Sequence, residues 1–497
     1  MVNNANLPMP RPRILLPLML GVAIWCARPS VGKPVFTASE IEGNGSELFY
    51  CDLDGDRLDD VILIDDLTLS LFFQDAKTGF PRQPQQKYRL DDQPSVVWPA
   101  KLGGPAASLL VWTSQGVAEL DFTNRTAPPA RRQIIEQPTI IPATQPDSEV
   151  QSFPLAVESG TGWPLLLVPV VDGLQVWQHG DGWRQAQFIP GAVVTRFQPE
   201  AANPGYTRRA TLNLCVGDVN HDRREDLMVM NPAPSGSEVY RLYLQNTNGL
   251  FDLQSAMVYT NRADWHTVLA WCDLKGDGRL DLITSTISDE PSFVPGLQSG
   301  KVIVAVYGAD AQGRIPPAPQ QVFRKGDWSA FLPVVDVDGD GGMDLVLGYV
   351  PIDSRDGVRN LIAAGKLSLN LKFHFSRPGG LFSPEPDYQR ALSIYFDHDL
   401  IWTGEQRIYY EKFLSLNGDF NGDGKKDLLV RDHSDAISVY FFQSRTAGFS
   451  GQPDLKFHCP EPVEWWRMKD LNGDGVSDLV VKLRNQAGFR IFTSQGQ

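Results

Sequence analysis

The chain is poor in the residues that most often carry covalent or redox chemistry. Its 497 residues include five cysteines and seven histidines. No CxxC pair occurs, so neither a zinc ribbon nor a thioredoxin-like site is expected. HExxH and a nucleophile-elbow serine are also missing. Long stretches of helical periodicity are few, which argues against a helical protein. Positive charge is in deficit: the formal net charge is −14, which argues against a nucleic-acid partner and leaves room for bound cations.

A membrane-length apolar run is lacking too. Arg11 and Arg13 precede an apolar stretch from Ile14 to Trp25 that is short and interrupted by proline. This is the pattern of a secretory signal rather than of a membrane span. Ser30-Val31-Gly32 supplies a small-x-small cleavage site, so residues 1–32 are read as a signal peptide. The mature chain, 33–497, is then expected to be secreted, periplasmic or on the cell surface. Lipidation of Cys26 is the lesser alternative, because Trp25 suits it poorly. Cys51, Cys215, Cys272 and Cys459 remain, expected as buried free thiols with one disulfide possible.

What the chain has is glycine, proline and a repeat. With 44 Gly, 37 Pro and 42% hydrophobic residues, it reads as many short strands joined by turns. Six nonapeptides resemble one another: DLDGDRLDD at 52–60, DVNHDRRED at 218–226, DLKGDGRLD at 273–281, DVDGDGGMD at 336–344, DFNGDGKKD at 419–427 and DLNGDGVSD at 470–478. Each runs into an apolar segment. LTLSLFFQDAKTGF at 67–80 parallels AISVYFFQSRTAGF at 436–449, extending the match to a unit of four short strands.

The first two motifs start 166 residues apart, whereas the other gaps are 51 to 83. The long gap holds two degenerate units, about 101–122 and 160–177, which keep strand, turn and strand but lack the acids. Eight units are counted, with seven as the alternative. A four-stranded unit cannot bury both its faces alone. The last unit stops after its third strand, and KPVFTASEI at 33–41 can supply the fourth. The fold expected is an all-β propeller closed by its N-terminal strand, an arrangement that protects sheet edges. A monomer is expected.

Side-chain oxygens at positions 1, 3, 5 and 9, present in five of the six nonapeptides, with a carbonyl near position 7, suit a hard cation with six to eight oxygen ligands. Glycine at position 6 permits positive φ where the chain reverses. Calcium fits better than magnesium, which keeps its waters. An EF-hand needs Glu at position 12. Leu63, Val229, Thr284, Leu347, Val430 and Val481 stand there instead. Six divalent ions would leave the chain close to neutral.

The loops, their apolar continuation and the Gly-Phe turns resemble the FG-GAP or VCBS repeats of integrin-α-type β-propellers, whose loops each bind one calcium. By position, the resemblance implies Asp52, Asp54, Asp56 and Asp60 as ligands in the first loop, and Asp218, Asn220, Asp222 and Asp226 in the second. The third offers Asp273, Asp277 and Asp281, and the fourth Asp336, Asp338, Asp340 and Asp344. The last two offer Asp419, Asn421, Asp423, Asp427 and Asp470, Asn472, Asp474, Asp478. The position-7 carbonyls belong to Leu58, Arg224, Arg279, Gly342, Lys425 and Val476. Lys275 takes position 3 of the third loop and weakens it. Arg57 and Arg223 replace the position-6 glycine, at a backbone cost of about 1 kcal/mol. His221 lies inside the second loop and is expected to be solvated.

Strand parity puts the calcium loops and the turns between strands three and four on one face. Insertions at 288–300, 349–365 and 396–412 fall on the other, where integrin-like propellers usually bind partners. Trp265 and Trp328 stand near that rim, and with Trp402, Tyr409 and Tyr410 they are candidates for a surface that stacks on a sugar or peptide. The bland alternative is that the tryptophans wedge between units. The function expected is a binding or adhesion module for a carbohydrate or extracellular protein. The alternative is a polysaccharide lyase on the same scaffold, enlisting Arg208, Arg209, His398 and Tyr409, although no spacing requires it. No catalytic residue is assigned.

Overall fold

A computed structural model describes residues 33–495 except 46, 91–93, 144–150, 200–205, 233–236, 262–266, 288–301, 325–327, 332–333, 351–364, 396–412 and 485. The leader 1–32, nearly all of the three insertions, and Trp265, Trp402, Tyr409 and Tyr410 lie outside the described residues. Trp328 opens the strand Trp328–Phe331 and pairs with Val350 through its backbone.

Eight antiparallel sheets follow one another along the chain. Blade 1 comprises Glu47–Cys51, Asp60–Asp65, Thr68–Phe72 and Gln86–Arg89. Blade 2 runs from Val96–Lys101 to Ala130–Ile135, with Gln151–Ser152 added in parallel beside its first strand. Blade 3 runs from Ala156–Val157 to Trp183–Pro190, blade 4 from Leu214–Gly217 to Met257–Asn261, and blade 5 from Thr267–Cys272 to Gln321–Arg324. Blade 6 runs from Trp328–Phe331 to Tyr388–Tyr395, and blade 7 from Leu414–Gly418 to Leu455–His458. Blade 8 has Val463–Lys469, Asp478–Leu483 and Phe489–Gln495, and takes its fourth strand, Val35–Ile41, from the other end of the chain. Closure is therefore as the sequence implies, with eight blades rather than seven. Among the described residues no helix is long and apolar enough to cross a membrane.

The ring follows from the two-residue period of a strand. Val61 and Leu63 pack into the junction with blade 8, while Ile62 and Ile64 pack into the junction with blade 2. Likewise Leu428 and Val430 face blade 6, and Leu429 faces blade 8. Each sheet is thus apolar on both faces, and only a neighbour on either side can cover it. Burying one such side chain contributes about 1.5–3 kcal/mol. At the seam, Phe36 packs edge-on against Phe457 with centroids 5.0 Å apart.

One element had no expected place. A two-stranded ribbon, Val193–Pro199 with Tyr206–Leu212, sits between blades 3 and 4 and carries no repeat signature. Arg208 and Arg209 belong to it.

Candidate metal loops on one face of the propeller

All six acidic nonapeptides connect the first and second strands of their blades, and the backbone explains why they reverse so tightly. Position 6 is left-handed in every loop: φ is 73° at Arg57, 67° at Arg223, 76° at Gly278, 87° at Gly341, 85° at Gly424 and 84° at Gly475. Position 4 is left-handed as well, from 61° at His221 to 85° at Gly55. Only position 6 was expected to reverse. The glycine at position 4 in five of the six copies was the signal for the second reversal.

The carboxylates divide into two kinds. Position 1 accepts from amides within its own loop, as Asp419 does from Gly422 at 2.7 Å and Gly424 at 2.8 Å. Position 9 is fully buried and ties the blade together. Asp427 accepts from the amide of Phe420 at 2.7 Å with one oxygen and from that of Phe442, past the third strand, at 3.0 Å with the other. Asp60, Asp226, Asp281, Asp344 and Asp478 repeat this pattern toward Gln74, Gln245, Ala309, Ser376 and Ser494. These bonds bring the acidic loop and the turn between strands three and four onto one face, as strand parity requires.

Burial pushes Asp60, Asp226, Asp344 and Asp478 up to about 7 and Asp427 up to about 8, against the pull of their amide hydrogen bonds. Asp281 is raised for the same reason, although Lys275 opposes it. A divalent ion in the loop would act in the opposite sense.

Carboxylate donors converge in the loops of blades 1 and 6. Oxygens of Asp52, Asp54 and Asp56 lie within 4.8 Å of one another, as do those of Asp336, Asp338 and Asp340. In both loops an arginine of the next blade reaches the carboxylates of positions 3 and 5. Arg125 pairs with Asp54 and, at 2.8 Å, with Asp56. Arg445 pairs with Asp338 and Asp340. The two arginines lie 5.1 Å and 5.2 Å from the rings of Phe73 and Phe375, and both begin an Arg-Thr-Ala segment.

Elsewhere the chain supplies cations from within the loop. Lys275 Nζ lies 3.2 Å from Asp281 and donates to the carbonyl of Ala309 at 2.6 Å, so position 3 of that loop holds a positive charge. The position-7 side chains Arg224, Arg279 and Lys425 each pair with the position-5 aspartate before them. In blade 8, Ser494 donates to Asp474 at 2.7 Å. His221 is half-exposed and lies 3.8 Å from Asp273 of the next loop.

Neighbouring loops are also joined by backbone. The amide of Asp59 donates to the carbonyl of Leu471 at 2.7 Å, that of Lys426 to Val337 at 2.8 Å, and that of Ser477 to Asp419 at 2.7 Å. Position 2 plugs each junction: Leu53, Val337 and Phe420 are wholly buried between blades. Where the acids are missing, in blade 3, the ring of Trp163 stacks on His179 at 3.7 Å and 9°, with Trp183 edge-on to both. This stack joins the same two connections that a position-9 aspartate joins elsewhere. The aromatic residues of GTGW and HGDGW were the available signal.

Cys51, Cys215, Cys272 and Cys459 are free thiols. Burial pushes Cys215 and Cys459 up to about 11, and Cys51 and Cys272 further. Of the residues enlisted for a lyase, Arg208 and Arg209 are on the ribbon, and His398 and Tyr409 are outside the described residues.

No curated protein matches the chain. Among solved structures, a lectin of Agrocybe aegerita described as recognising non-reducing terminal N-acetylglucosamine is similar at 13% identity and a TM-score of 0.40, covering 70% of this chain and 80% of its own. BBS1N, solved in complex with ARL6DN, is similar at 10% identity and a TM-score of 0.34, covering 93% and 98%. The FG-GAP-like repeat family matches residues 218–284 and 419–481, which span the acidic loops of blades 4, 5, 7 and 8. The chain is thus an eight-bladed β-propeller in which the acidic loops of blades 4, 5, 7 and 8 lie in segments that match FG-GAP-like repeats.

Proposed function

We propose that this propeller is exported, is stabilised by calcium in its acidic loops, and works as a binding or adhesion module for a carbohydrate or an extracellular protein. The convergence of three carboxylates in each of two loops carries the calcium reading. The oxygens are of the hard type that calcium prefers, and tight turns with two left-handed positions aim them inward. Asp52, Asp54 and Asp56, and Asp336, Asp338 and Asp340, would hold the ions in blades 1 and 6. Asp419, Asn421, Asp423 and Asp470, Asn472, Asp474 would do so in blades 7 and 8. The loop of blade 5 would be the weakest, since Lys275 already supplies a charge there. In this role the ion is a structural brace and does no chemistry.

The leader 1–32 supports export. The binding reading rests on the scaffold: strand parity assigns the insertions 288–300, 349–365 and 396–412 to the face away from the acidic loops, and long connections commonly carry function. Elemental analysis of the purified mature chain, followed by glycan and extracellular-protein arrays in calcium buffer, tests both parts. Absence of tightly held calcium would remove the first. New ultraviolet absorbance on incubation with any polyuronide would replace the second with a lyase.

A further inference from the structure

A groove of about 740 Å³ runs between blades 6 and 7. One wall is the outermost strand of blade 6, Tyr388–Tyr395, and the other is the sheet of blade 7. Its chemistry differs from that of the protein around it. In a chain of net charge −14, the groove collects the cations Lys366, Arg390 and Lys456 with His433 and His458, against only Asp432, which pairs with Lys456, and Asp435, which pairs with His433. The cations are spread along it. Lys366 and His458 stand at the end away from the acidic loops, where Lys366 pairs with Tyr395 and His458 with Ala436. Lys456 is beside Ser438 and Arg390 is nearer the other end. The strand from Ala436 to Tyr440 along its floor spans about 13 Å.

Two of these groups are held in place. Arg390 lies 4.2 Å from the ring of Tyr440 and donates to the carbonyl of Ser450 at 2.8 Å, so its guanidinium is fixed without a carboxylate partner among the described residues. Asp432 is anchored by one oxygen, which accepts from Ser438 at 2.7 Å and from Lys456 at 3.4 Å. Its other oxygen, Oδ1, is buried and has no partner among the described residues. An acceptor withdrawn from water and left unpaired costs about 1–3 kcal/mol, and a ligand hydroxyl would recover that cost.

We propose that this groove binds an oligosaccharide bearing carboxylate or sulfate groups, the cations along its length meeting the anionic substituents and Asp432 Oδ1 accepting from a ring hydroxyl. The inference rests on the binding reading above and gives it a site and a ligand class. An acidic peptide would meet the cations equally well but has no hydroxyl donors on its acidic side chains for Asp432 Oδ1, whereas a saccharide carries them on every ring, so the saccharide is favoured.

The test is calorimetric titration of the full mature chain, in calcium buffer, with a chondroitin sulfate hexasaccharide. Its desulfated, carboxyl-reduced counterpart and a glutamate hexapeptide serve as controls. Both Lys366 and Lys456 are exposed and the Lys456–Asp432 pair lies at the surface, so Lys366→Gln with Lys456→Gln should lower the melting temperature little. The expected result is binding of the sulfated probe that weakens with salt, falls at least tenfold in the double variant, and is at least tenfold weaker for the neutral sugar. Undiminished binding in the double variant would remove this groove while leaving the binding module intact. Equal binding of the neutral sugar, preference for the peptide, or no binding at all would each overturn the ligand class. A blank on the wider arrays would sink the parent reading as well.

Discussion

Arg445 of blade 7 forms an ion pair with Asp338 of blade 6, and Arg125 of blade 2 forms the matching pair with Asp54 of blade 1. The same device closes two junctions on different parts of the ring, and each time it approaches the loop whose carboxylates crowd together most closely. Without an ion those carboxylates repel one another, and the guanidinium relieves part of that repulsion. Arg445→Ala is therefore expected to destabilise the calcium-free protein by about 1 kcal/mol or less, since the side chain is partly exposed. With calcium bound the loss should be smaller. Urea unfolding with and without chelator measures both, and a loss confined to the calcium-loaded form would contradict the idea.

Calcium removal should act unevenly. Blades 2 and 3 have no acidic loop and share with blade 4 a continuous core that includes Trp112, Leu166 and Leu227. Chelation should lower the melting temperature seen by calorimetry, while amide exchange stays slow in the strands Ala107–Thr113 and Leu165–Val170 and quickens first in the blades that carry acidic loops. Uniform exchange around the ring, or an unchanged melting temperature, would show that the loops do not need the ion.

Position 9 and position 5 should fail differently when mutated. Asp427→Ala leaves the buried amides of Phe420 and Phe442 without acceptors, which should cost about 2–4 kcal/mol whether or not calcium is present. Asp423 is exposed and pairs only with its neighbour Lys425 among the described contacts. Asp423→Ala should cost little in chelator and lower stability only in calcium. Denaturant midpoints of the two variants under both conditions give the comparison, and equal behaviour would mean that the two carboxylates share one role.

Thiol chemistry offers an independent check on burial and on processing. Because burial raises all four thiols well above their ordinary value, thiolate is scarce at pH 8 and Ellman's reagent should react slowly with the native protein. In denaturant the mature chain should release four equivalents, Cys26 having left with the leader. A fifth equivalent would show that the leader is retained, and fewer than four would reveal a disulfide.

The repeat, the number of blades, the strand that closes the ring and the face on which the acidic loops lie were all legible in the sequence. Each follows from local pattern: a two-residue apolar period, a nonapeptide of alternating oxygens, and the odd strand missing from the last unit. Tertiary structure decided the rest. Only the fold shows that the position-9 aspartates bind two amides inside the blade, that Arg125 and Arg445 reach back into the preceding loop, and that Trp163 on His179 replaces the acids of blade 3. Only the fold gathers Lys366, Arg390 and Lys456 along one groove. The reason is physical: periodicity dictates which way a side chain points from its own strand, but which charge it meets there depends on how one sheet is stacked against the next.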